Sequence, residues 1–295
     1  MMKIVVEKRM LHILLIPLFL FFINIESPAR ACTLWGSAGE FSVDSSTIIA
    51  KNRDWKPDSL TVVKKAQKKD GYRYFGIFGE ENGKSTGLKA GVNETGLSLV
   101  SATASSIPKK ERKYPGKKFS INTLILSKFD SVDAVLKERE IFSRYKPCFF
   151  MIGDKHKIAV IEVAPGGKIS VKETENGILY HTNHYFAKTE FEKNNKKKST
   201  SSKIRLKRLS ALLDSREKPL SMQDFIKISL DRNDGADNSI WRTGSTPKKS
   251  RTLATFIVEI PKTGPTKVFI RTADPGKERT EYRFILDDDF WNRES

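Results

Sequence analysis

Residues that bind metals or form disulfides are scarce in this 295-residue chain, which contains 2 cysteines and 4 histidines. Two cysteines allow one disulfide at most, between Cys32 and Cys148. His181 and His184 lie close together in sequence, but no later histidine and no cysteine or carboxylate cluster accompanies them. A zinc site with three or four protein ligands is therefore not expected. We expect neither a metal nor another cofactor.

Acidic residues are also few relative to basic ones, 35 against 53, which gives a formal net charge of +18. This excess favours acidic partners such as anionic lipid headgroups, cell-wall polymers or nucleic acid. The basic segments 109–118 and 193–208 contain one aromatic residue, Tyr114, and so lack the base-stacking side chains of a single-stranded nucleic-acid groove. Runs of charge are usually solvated surface. We therefore expect no nucleic-acid partner, and attraction to an anionic envelope surface is the alternative use of the charge.

The longest apolar run, at positions 11–25, is too short for an ordinary transmembrane helix. Three basic residues precede this run: Lys3, Lys8 and Arg9. Ala29 and Ala31 follow it at the spacing that signal peptidase prefers. These features predict a secretory signal over residues 1–31, cleaved between Ala31 and Cys32, and a periplasmic or secreted mature protein. An uncleaved anchor helix is the alternative.

Cleavage at this position would make Cys32 the first residue of a mature chain with net charge +16, because residues 1–31 hold four basic and two acidic side chains. A thiol and a free α-amine, which is a potential proton acceptor, would then belong to one residue. This combination is typical of catalysis rather than of packing. A disulfide between Cys32 and Cys148 is the structural alternative, although Cys148 lies in the apolar run 147–152, where burial explains it better.

Downstream of Cys32, strand and helix patterns alternate without an internal repeat or a linker. Strands are predicted at residues 41–43, 46–50, 60–63, 72–78, 88–92, 97–102, 148–152, 158–163, 169–172, 178–180, 252–260, 267–271 and 282–286. Helices are predicted at residues 119–129, 131–142, 201–213 and 222–230. This order predicts an α+β fold with two largely antiparallel sheets packed together and helices outside them. We expect residues 32–295 to form a single domain.

Five short motifs follow one another from the candidate nucleophile onward. They are Cys32-Thr33, KNRDW at 51–55, NETGL at 93–97, HTNH at 181–184 and SRT at 250–252. Together they resemble the N-terminal nucleophile (Ntn) hydrolases of the choloylglycine hydrolase and penicillin V acylase group. The acyl-coenzyme A:6-aminopenicillanic acid acyltransferase-like branch of that group is the most similar. The resemblance covers residues 32–290 and implies a four-layer αββα sandwich. It also implies hydrolysis or acyl transfer at a linear amide, with a small N-acyl amide as substrate and an acyl-thioester on Cys32.

The resemblance implies roles for three polar residues around this nucleophile. Asp54 would orient Cys32 and its amine, since a carboxylate next to an α-ammonium is electrostatically favourable. Asn183 would contribute its side-chain amide to an oxyanion hole, because a neutral donor stabilises developing charge without needing a proton. The backbone near Thr103 would supply a second donor. The structural alternatives are a capping aspartate at position 54 and a turn asparagine at position 183.

Three basic residues belong to the same set of candidates. Strand alternation places Lys51 and Arg53 on one face of their strand and Asn52 and Asp54 on the other. Either cation would stabilise a Cys32 thiolate, and exposed strand charges are the alternative. The resemblance implies that Arg251 supports the nucleophile pocket from the final sheet, because an arginine can hold two hydrogen-bond partners in fixed geometry. The start of a strand is the alternative explanation for Arg251.

Two positions depart from the pattern of the bile-salt enzymes. Lys51 stands where those enzymes usually carry an arginine, and Thr103 replaces their asparagine. We expect His181 and His184 to shape the wall of the substrate pocket. A bile-salt or penicillin V hydrolase is the alternative enzyme, and the two departures count against it. The alternative of another class is a non-catalytic protein that binds the envelope through its basic surface.

Overall fold

The computed structural model describes residues 31–113, 116, 119–186 and 199–293. The predicted signal, apart from its last residue, lies outside these ranges. The strands of the described chain are β1 Cys32–Ala38, β2 Thr47–Trp55, β3 Ser59–Gln67, β4 Arg73–Glu81, β5 Lys84–Asn93, β6 Ser98–Thr103, β7 Cys148–Gly153, β8 Ile158–Val163, β9 Ile169–Thr174, β10 Gly177–His181, β11 Arg251–Ile260, β12 Thr266–Thr272 and β13 Thr280–Leu286. The α-helices are α1 Ile121–Lys128, α2 Val132–Lys137, α3 Glu140–Ser143, α4 Thr200–Asp214, α5 Met222–Ser229, α6 Gly235–Asn238 and α7 Asp288–Asn292.

The strands form two sheets in which hydrogen-bonded neighbours run antiparallel. One sheet has six strands in the order β10-β1-β2-β11-β12-β13, and the other has seven in the order β3-β4-β5-β6-β7-β8-β9. The first sheet therefore joins the strand that starts at Cys32 to strands from the last third of the chain, whereas the second is built from successive strands. This arrangement confirms the predicted α+β fold with two antiparallel sheets.

Three buried apolar layers hold the sheets and helices together. Side chains such as Phe75 and Phe149 fill the space between the two sheets. Ile125 of α1 and its neighbours cover the outer face of the seven-stranded sheet. Leu209 of α4 and Phe225 of α5 cover the outer face of the six-stranded sheet. Each such side chain stabilises the fold by about 1.5–3 kcal/mol when fully buried. The result is the four-layer αββα sandwich that the family resemblance implied.

Strand alternation in β1 determines which of its side chains reaches the space between the sheets. Cys32 and Leu34 pack in the layer between the sheets, whereas Trp35 packs against the helices of the outer layer. The Cα partner of Cys32 in β2 is Arg53. Cys32 therefore begins a central strand and directs its thiol toward the second sheet.

The predicted strand at residues 41–43 is not formed. Residues 41–43 lie in two short 3-10 turns, Gly39–Phe41 and Val43–Ser45, and the partner of β2 is β1. All seven residues of β1 are buried. A strand that is covered on both faces shows no alternation of polar and apolar residues, so the pattern that usually reveals a strand is absent there.

The predicted helix at residues 131–142 is divided into two short helices. Ser131 caps α2, because its hydroxyl accepts a hydrogen bond from the Ala134 amide. The chain then turns at residues 138–139 before α3 begins. In contrast, the predicted strands at residues 88–92 and 97–102 are confirmed by β5 and β6, which are joined by a turn in which Gly96 has φ 88°. Across the described ranges, none of the helices has the length and apolar character needed to cross a membrane.

Candidate active site

A cavity of about 770 Å³ opens beside the thiol of Cys32. Its walls come from β1 and β2 of one sheet and from β5, β6 and β7 of the other, together with the loops before α1 and β7. Cys32 itself is 5% exposed. The volume suits a small organic substrate, which such cavities typically surround on most sides. A nucleophile at this position would therefore meet its substrate between the two sheets.

Both backbone polar groups of Cys32 are held by buried side chains. The Cys32 nitrogen donates to Asn183 Oδ1 at 2.8 Å, and the Cys32 carbonyl accepts from Arg205 Nη1 at 2.7 Å. Arg205 also donates through Nη1 to Thr33 Oγ1 at 2.8 Å and through Nη2 to Asn183 Oδ1 at 2.9 Å. Burial lowers the pKa of Arg205 to about 10, so the guanidinium remains charged at neutral pH. Arg205 and Asn183 thus fix the position of Cys32.

Asn183 connects Cys32 to the cavity wall. Its Nδ2 donates to the Thr103 carbonyl at 2.8 Å, and its backbone amide donates to Ser202 Oγ at 2.7 Å. Thr103 lines the cavity. Three residues predicted from the sequence, Cys32, Asn183 and Thr103, are therefore brought together by hydrogen bonds. One of the two Nδ2 protons is used by Thr103, and the other is available to a further acceptor.

Lys51 and Arg53 line the same cavity as Cys32 and are both almost fully buried. Lys51 Nζ donates to the Lys89 carbonyl at 2.9 Å and to the Ser101 carbonyl at 2.5 Å. Arg53 donates to the hydroxyl groups of Ser59 and Thr61 at 2.7 and 3.1 Å. Burial lowers the pKa of both cations, and in each case the negative charge of a Cys32 thiolate opposes that shift.

Asp54 and Asn52 project to the opposite face of β2, as strand alternation predicted. Asp54 Oδ1 accepts from Thr252 Oγ1 at 2.8 Å, and Asp54 Oδ2 lies 3.7 Å from Arg242 Nη1. Burial raises the pKa of Asp54, while the positive charges of Arg242 and Arg205 oppose the rise. Among the described residues, Asp54 Oδ2 has no hydrogen-bond donor although it is buried. A buried oxygen without a donor is unfavourable, so this atom has capacity for a further N–H or O–H group.

The two thiols that line the cavity are both free, so the alternative disulfide is not formed. Cys148 Sγ donates to the Ala102 carbonyl at 3.1 Å. Burial raises the pKa of Cys148 to about 11. Since the thiolate is the reactive form, Cys148 is inert at neutral pH despite its place in the cavity wall.

The two histidines lie outside this cavity, contrary to the prediction that they shape its wall. His181 is fully buried, and its Nε2 lies 2.8 Å from Glu162 Oε1. His184 Nδ1 lies 2.8 Å from Ser202 Oγ, and burial lowers the pKa of His184 to about 4, so this ring is neutral. Their partners belong to β8 and α4, and these contacts hold the loop that carries Asn183. Within the described ranges, no group of three or more His, Cys, Asp or Glu side chains is placed to hold a metal ion.

The motifs and this geometry agree with the result of comparing the chain with known proteins. The family model for acyl-coenzyme A:6-aminopenicillanic acid acyl-transferase matches residues 42–274, which is most of the chain. The chain belongs to this acyl-transferase family. Membership confirms the resemblance inferred from the five motifs, and it indicates an amide hydrolase or acyltransferase. None of the curated proteins matches the sequence.

Solved structures support the same fold. Penicillin V acylase from Agrobacterium tumefaciens is 15% identical in sequence, with a TM-score of 0.52. The match covers 88% of this chain and 89% of the acylase. Anbu from Hyphomicrobium sp. strain MC1 is 10% identical over 88% of this chain and 90% of its own, and its TM-score is 0.28. Because the sequence identity is low, the acylase supports a conclusion about the fold alone: the present protein has an Ntn-hydrolase sandwich.

Arg251 is the last of the predicted site residues along the chain. It is half-buried at the start of β11, where its Nη2 donates to the Thr246 carbonyl at 3.4 Å. It does not line the Cys32 cavity. The next residue, Thr252, is the one that contacts Asp54. Alternation along the strand explains the difference, because consecutive side chains point to opposite faces.

Arg205 was missed by the sequence analysis, although it makes more contacts to Cys32 and Asn183 than any predicted cation. The burial pattern of α4 contains a signal that identifies Arg205. The buried positions of α4 are Ser202, Arg205, Leu209 and Leu213, which lie on one face of the helix. An arginine on the buried face of an amphipathic helix is unusual and indicates a specific partner. The segment was instead treated as part of a solvated basic run.

Proposed function

We propose that this protein is an exported N-terminal cysteine amidohydrolase or acyltransferase that cleaves a linear carbon–nitrogen amide through an acyl-thioester on Cys32. The observation that carries the proposal is the 2.8 Å hydrogen bond from the Cys32 nitrogen to Asn183 Oδ1, next to a cavity that Cys32 lines. Once the preceding peptide bond is cut, this nitrogen becomes the α-amine. It is then already oriented next to the thiol that it must deprotonate.

The chemistry requires one proton acceptor and one oxyanion site. The α-amine takes the thiol proton, and the thiolate attacks the amide carbonyl, so that a carbon–sulfur bond forms. The carbon–nitrogen bond breaks as the leaving amine takes the proton from the α-ammonium. Water or a second amine then attacks the thioester and transfers its proton to the α-amine. The carbon–sulfur bond breaks, and the thiol is regenerated with release of a carboxylic acid or a new amide.

Two features of the site support this sequence of steps. The second Nδ2 proton of Asn183 forms no hydrogen bond with a described residue, so we assign it to the tetrahedral oxyanion. Removal of such a donor typically costs about 10²–10³ in rate. The buried oxygen Asp54 Oδ2 lacks a donor among the described side chains, and an α-ammonium offers two more N–H groups than a peptide nitrogen. Asp54 follows Arg53, the strand partner of Cys32, so we assign Asp54 to orient the amine.

Export and activation would then be one event, because cleavage between Ala31 and Cys32 creates the α-amine. We expect the mature protein from an exporting host to begin at Cys32 and the full-length precursor to be inactive. N-terminal sequencing and intact-mass measurement of both forms test this expectation. A mature protein that begins at another residue, or an active precursor, would contradict the mechanism.

A substrate panel tests the reaction itself. We expect at least one linear amide to add the mass of its acyl group to the mature protein, and the modified peptide to contain Cys32. The panel includes N-acyl amino acids, acyl-lactones, penicillin V and conjugated bile acids, with the Cys32→Ala variant as the control. Turnover of bile acids or penicillin V alone would favour the alternative hydrolase. If no compound gives Cys32-dependent turnover or an acyl-enzyme, the non-catalytic envelope-binding function is the better explanation.

A further inference from the structure

The cavity next to Cys32 is lined by side chains of one charge. Seven basic side chains line it: Lys51, Arg53, Lys89, Arg112, Lys113, Arg144 and Lys146. Within the described ranges, none of its lining residues is aspartate or glutamate. The overall composition does not require this, because the chain has 35 acidic residues. The charge therefore reflects how the fold distributes its residues.

The basic residues of the cavity fall into two groups. Lys51 and Arg53 lie at the floor and use their protons on carbonyl and hydroxyl groups of the protein. Lys89, Arg144 and Lys146 lie farther out, and none of the three forms an ion pair with a described carboxylate. Lys89 Nζ donates to the Thr86 carbonyl at 2.6 Å, which leaves two of its protons for a ligand.

This concentration of like charge is unfavourable in the absence of an anion. Burial, together with the charges of Arg53, Lys51 and Lys146, lowers the pKa of Lys89 to about 7, while Glu81 opposes the shift. In a lysine that is partly deprotonated near neutrality, the charged form is destabilised by burial and by the positive charges around it. An anion with several charges would relieve this repulsion and at the same time be attracted into the cavity.

We propose that the substrate carries at least two negative charges, as a phosphate or as two carboxylates, in the part that fills this cavity beyond the scissile amide. Lys89, Arg144 and Lys146 bind that part. The inference rests on the proposed function and names the substrate class of the same site. Phosphate and carboxylate share the chemistry that matters, because a guanidinium can donate two parallel hydrogen bonds to either group.

A series of amides with one acyl chain and different charges tests the proposal. The probes are the N-octanoyl derivatives of ethanolamine (neutral), glycine (one charge), aspartate (two charges) and O-phosphoethanolamine (two charges). We expect kcat/KM of the mature enzyme at pH 7 and low salt to be about 10-fold or more higher for the doubly charged amides than for the neutral one. That advantage should shrink as the ionic strength rises. The better of the two doubly charged probes identifies phosphate or carboxylate as the preferred group.

Matched variants distinguish the effect of the cavity charges from the effect of the basic surface as a whole. We expect Arg144→Gln/Lys146→Gln to reduce the advantage of the doubly charged probes by about 5-fold or more. The control Lys227→Gln/Lys248→Gln removes the same net charge from exposed positions outside the cavity and should leave the advantage unchanged. The single variant Lys146→Gln, at an exposed site, provides a second test with less risk to folding.

The outcomes distinguish this proposal from the proposed function. Equal kcat/KM for the four amides, with an acyl group on Cys32 in each case, would overturn the charge selectivity and leave the amidohydrolase intact. An equal loss of the advantage in the cavity variant and in the control variant would also overturn it, because the effect would then come from net charge. Absence of an acyl-enzyme with all of these probes and with the wider panel would instead count against the proposed function.

Discussion

Replacement of Cys32 by alanine is expected to abolish the acyl-enzyme and to lower kcat by a factor on the order of 10⁴–10⁶, as loss of a covalent nucleophile does in comparable enzymes. The other thiol of the cavity cannot take its place. Cys148 also lines the cavity, but burial raises its pKa to about 11, so roughly 10⁻⁴ of this thiol is ionised at pH 7. Intact-mass spectrometry and single-turnover kinetics of the mature variant measure both effects.

The matched variant is Cys148→Ala. It should still form the acyl-enzyme on Cys32, and iodoacetamide at pH 7 should alkylate Cys32 in the wild type while leaving Cys148 unmodified. An acyl group found on Cys148, or an acyl-enzyme in Cys32→Ala, would show that the nucleophile has been assigned to the wrong thiol. The two cysteines thus provide an internal comparison between two thiols of the same cavity.

Replacement of Arg205 by methionine is expected to lower both stability and activity. The guanidinium donates to the Cys32 carbonyl, to Thr33 Oγ1 and to Asn183 Oδ1, and all of these groups are buried. Loss of the guanidinium removes a charged donor from the Cys32 carbonyl and from Thr33 Oγ1, and leaves Asn183 Oδ1 with the Cys32 nitrogen as its donor. We therefore expect the free energy of unfolding to fall by about 3–5 kcal/mol. Since Cys32 and Asn183 lose their common anchor, kcat/KM should fall by about 10²-fold. Urea denaturation and steady-state kinetics provide the measurements.

Arg251→Met is the matched variant, and it tests whether Arg205 or the arginine of the sequence motif supports the site. Arg251 is half-buried and makes one long hydrogen bond, to the Thr246 carbonyl at 3.4 Å, so its loss should change stability by about 0.5 kcal/mol and activity only slightly. Arg205→Lys keeps the charge but not the planar fork, and it should recover part of the stability without the full activity. If Arg251→Met instead lowers kcat/KM as much as Arg205→Met, the role that the motif implied for Arg251 is correct.

Much of the architecture could be predicted because it depends on local patterns. The strands at residues 97–102, 148–152 and 158–163 and the helix at residues 201–213 are confirmed within a few residues. The periodicity of apolar side chains reports burial on one face, and most elements of this fold are buried in that way. The prediction failed at β1, where both faces are covered and the periodic signal disappears.

In the candidate site too, the features that depend on neighbouring residues could be predicted, whereas those that depend on tertiary packing could not. Cys32, the shared face of Lys51 and Arg53, and the candidate Asn183 follow from motif order and strand alternation, which are properties of neighbouring residues. Arg205 could not be connected to Cys32 in this way, because the two lie 173 positions apart and their hydrogen bond requires α4 to pack on the outer face of the six-stranded sheet. The histidines were misplaced for a related reason. Nothing in the sequence says that Glu162 of β8 lies opposite His181.

What residue order alone established is therefore the family, the fold class and the identity of the candidate nucleophile, since short motifs and alternation depend on chain neighbours. The tertiary structure alone decided the environment of that nucleophile. It buried Arg205 against the Cys32 carbonyl, kept Arg251 away, and gathered seven basic side chains from separate strands and loops around one cavity. Electrostatic fields depend on distances in space, and those distances exist only after the two sheets have packed together.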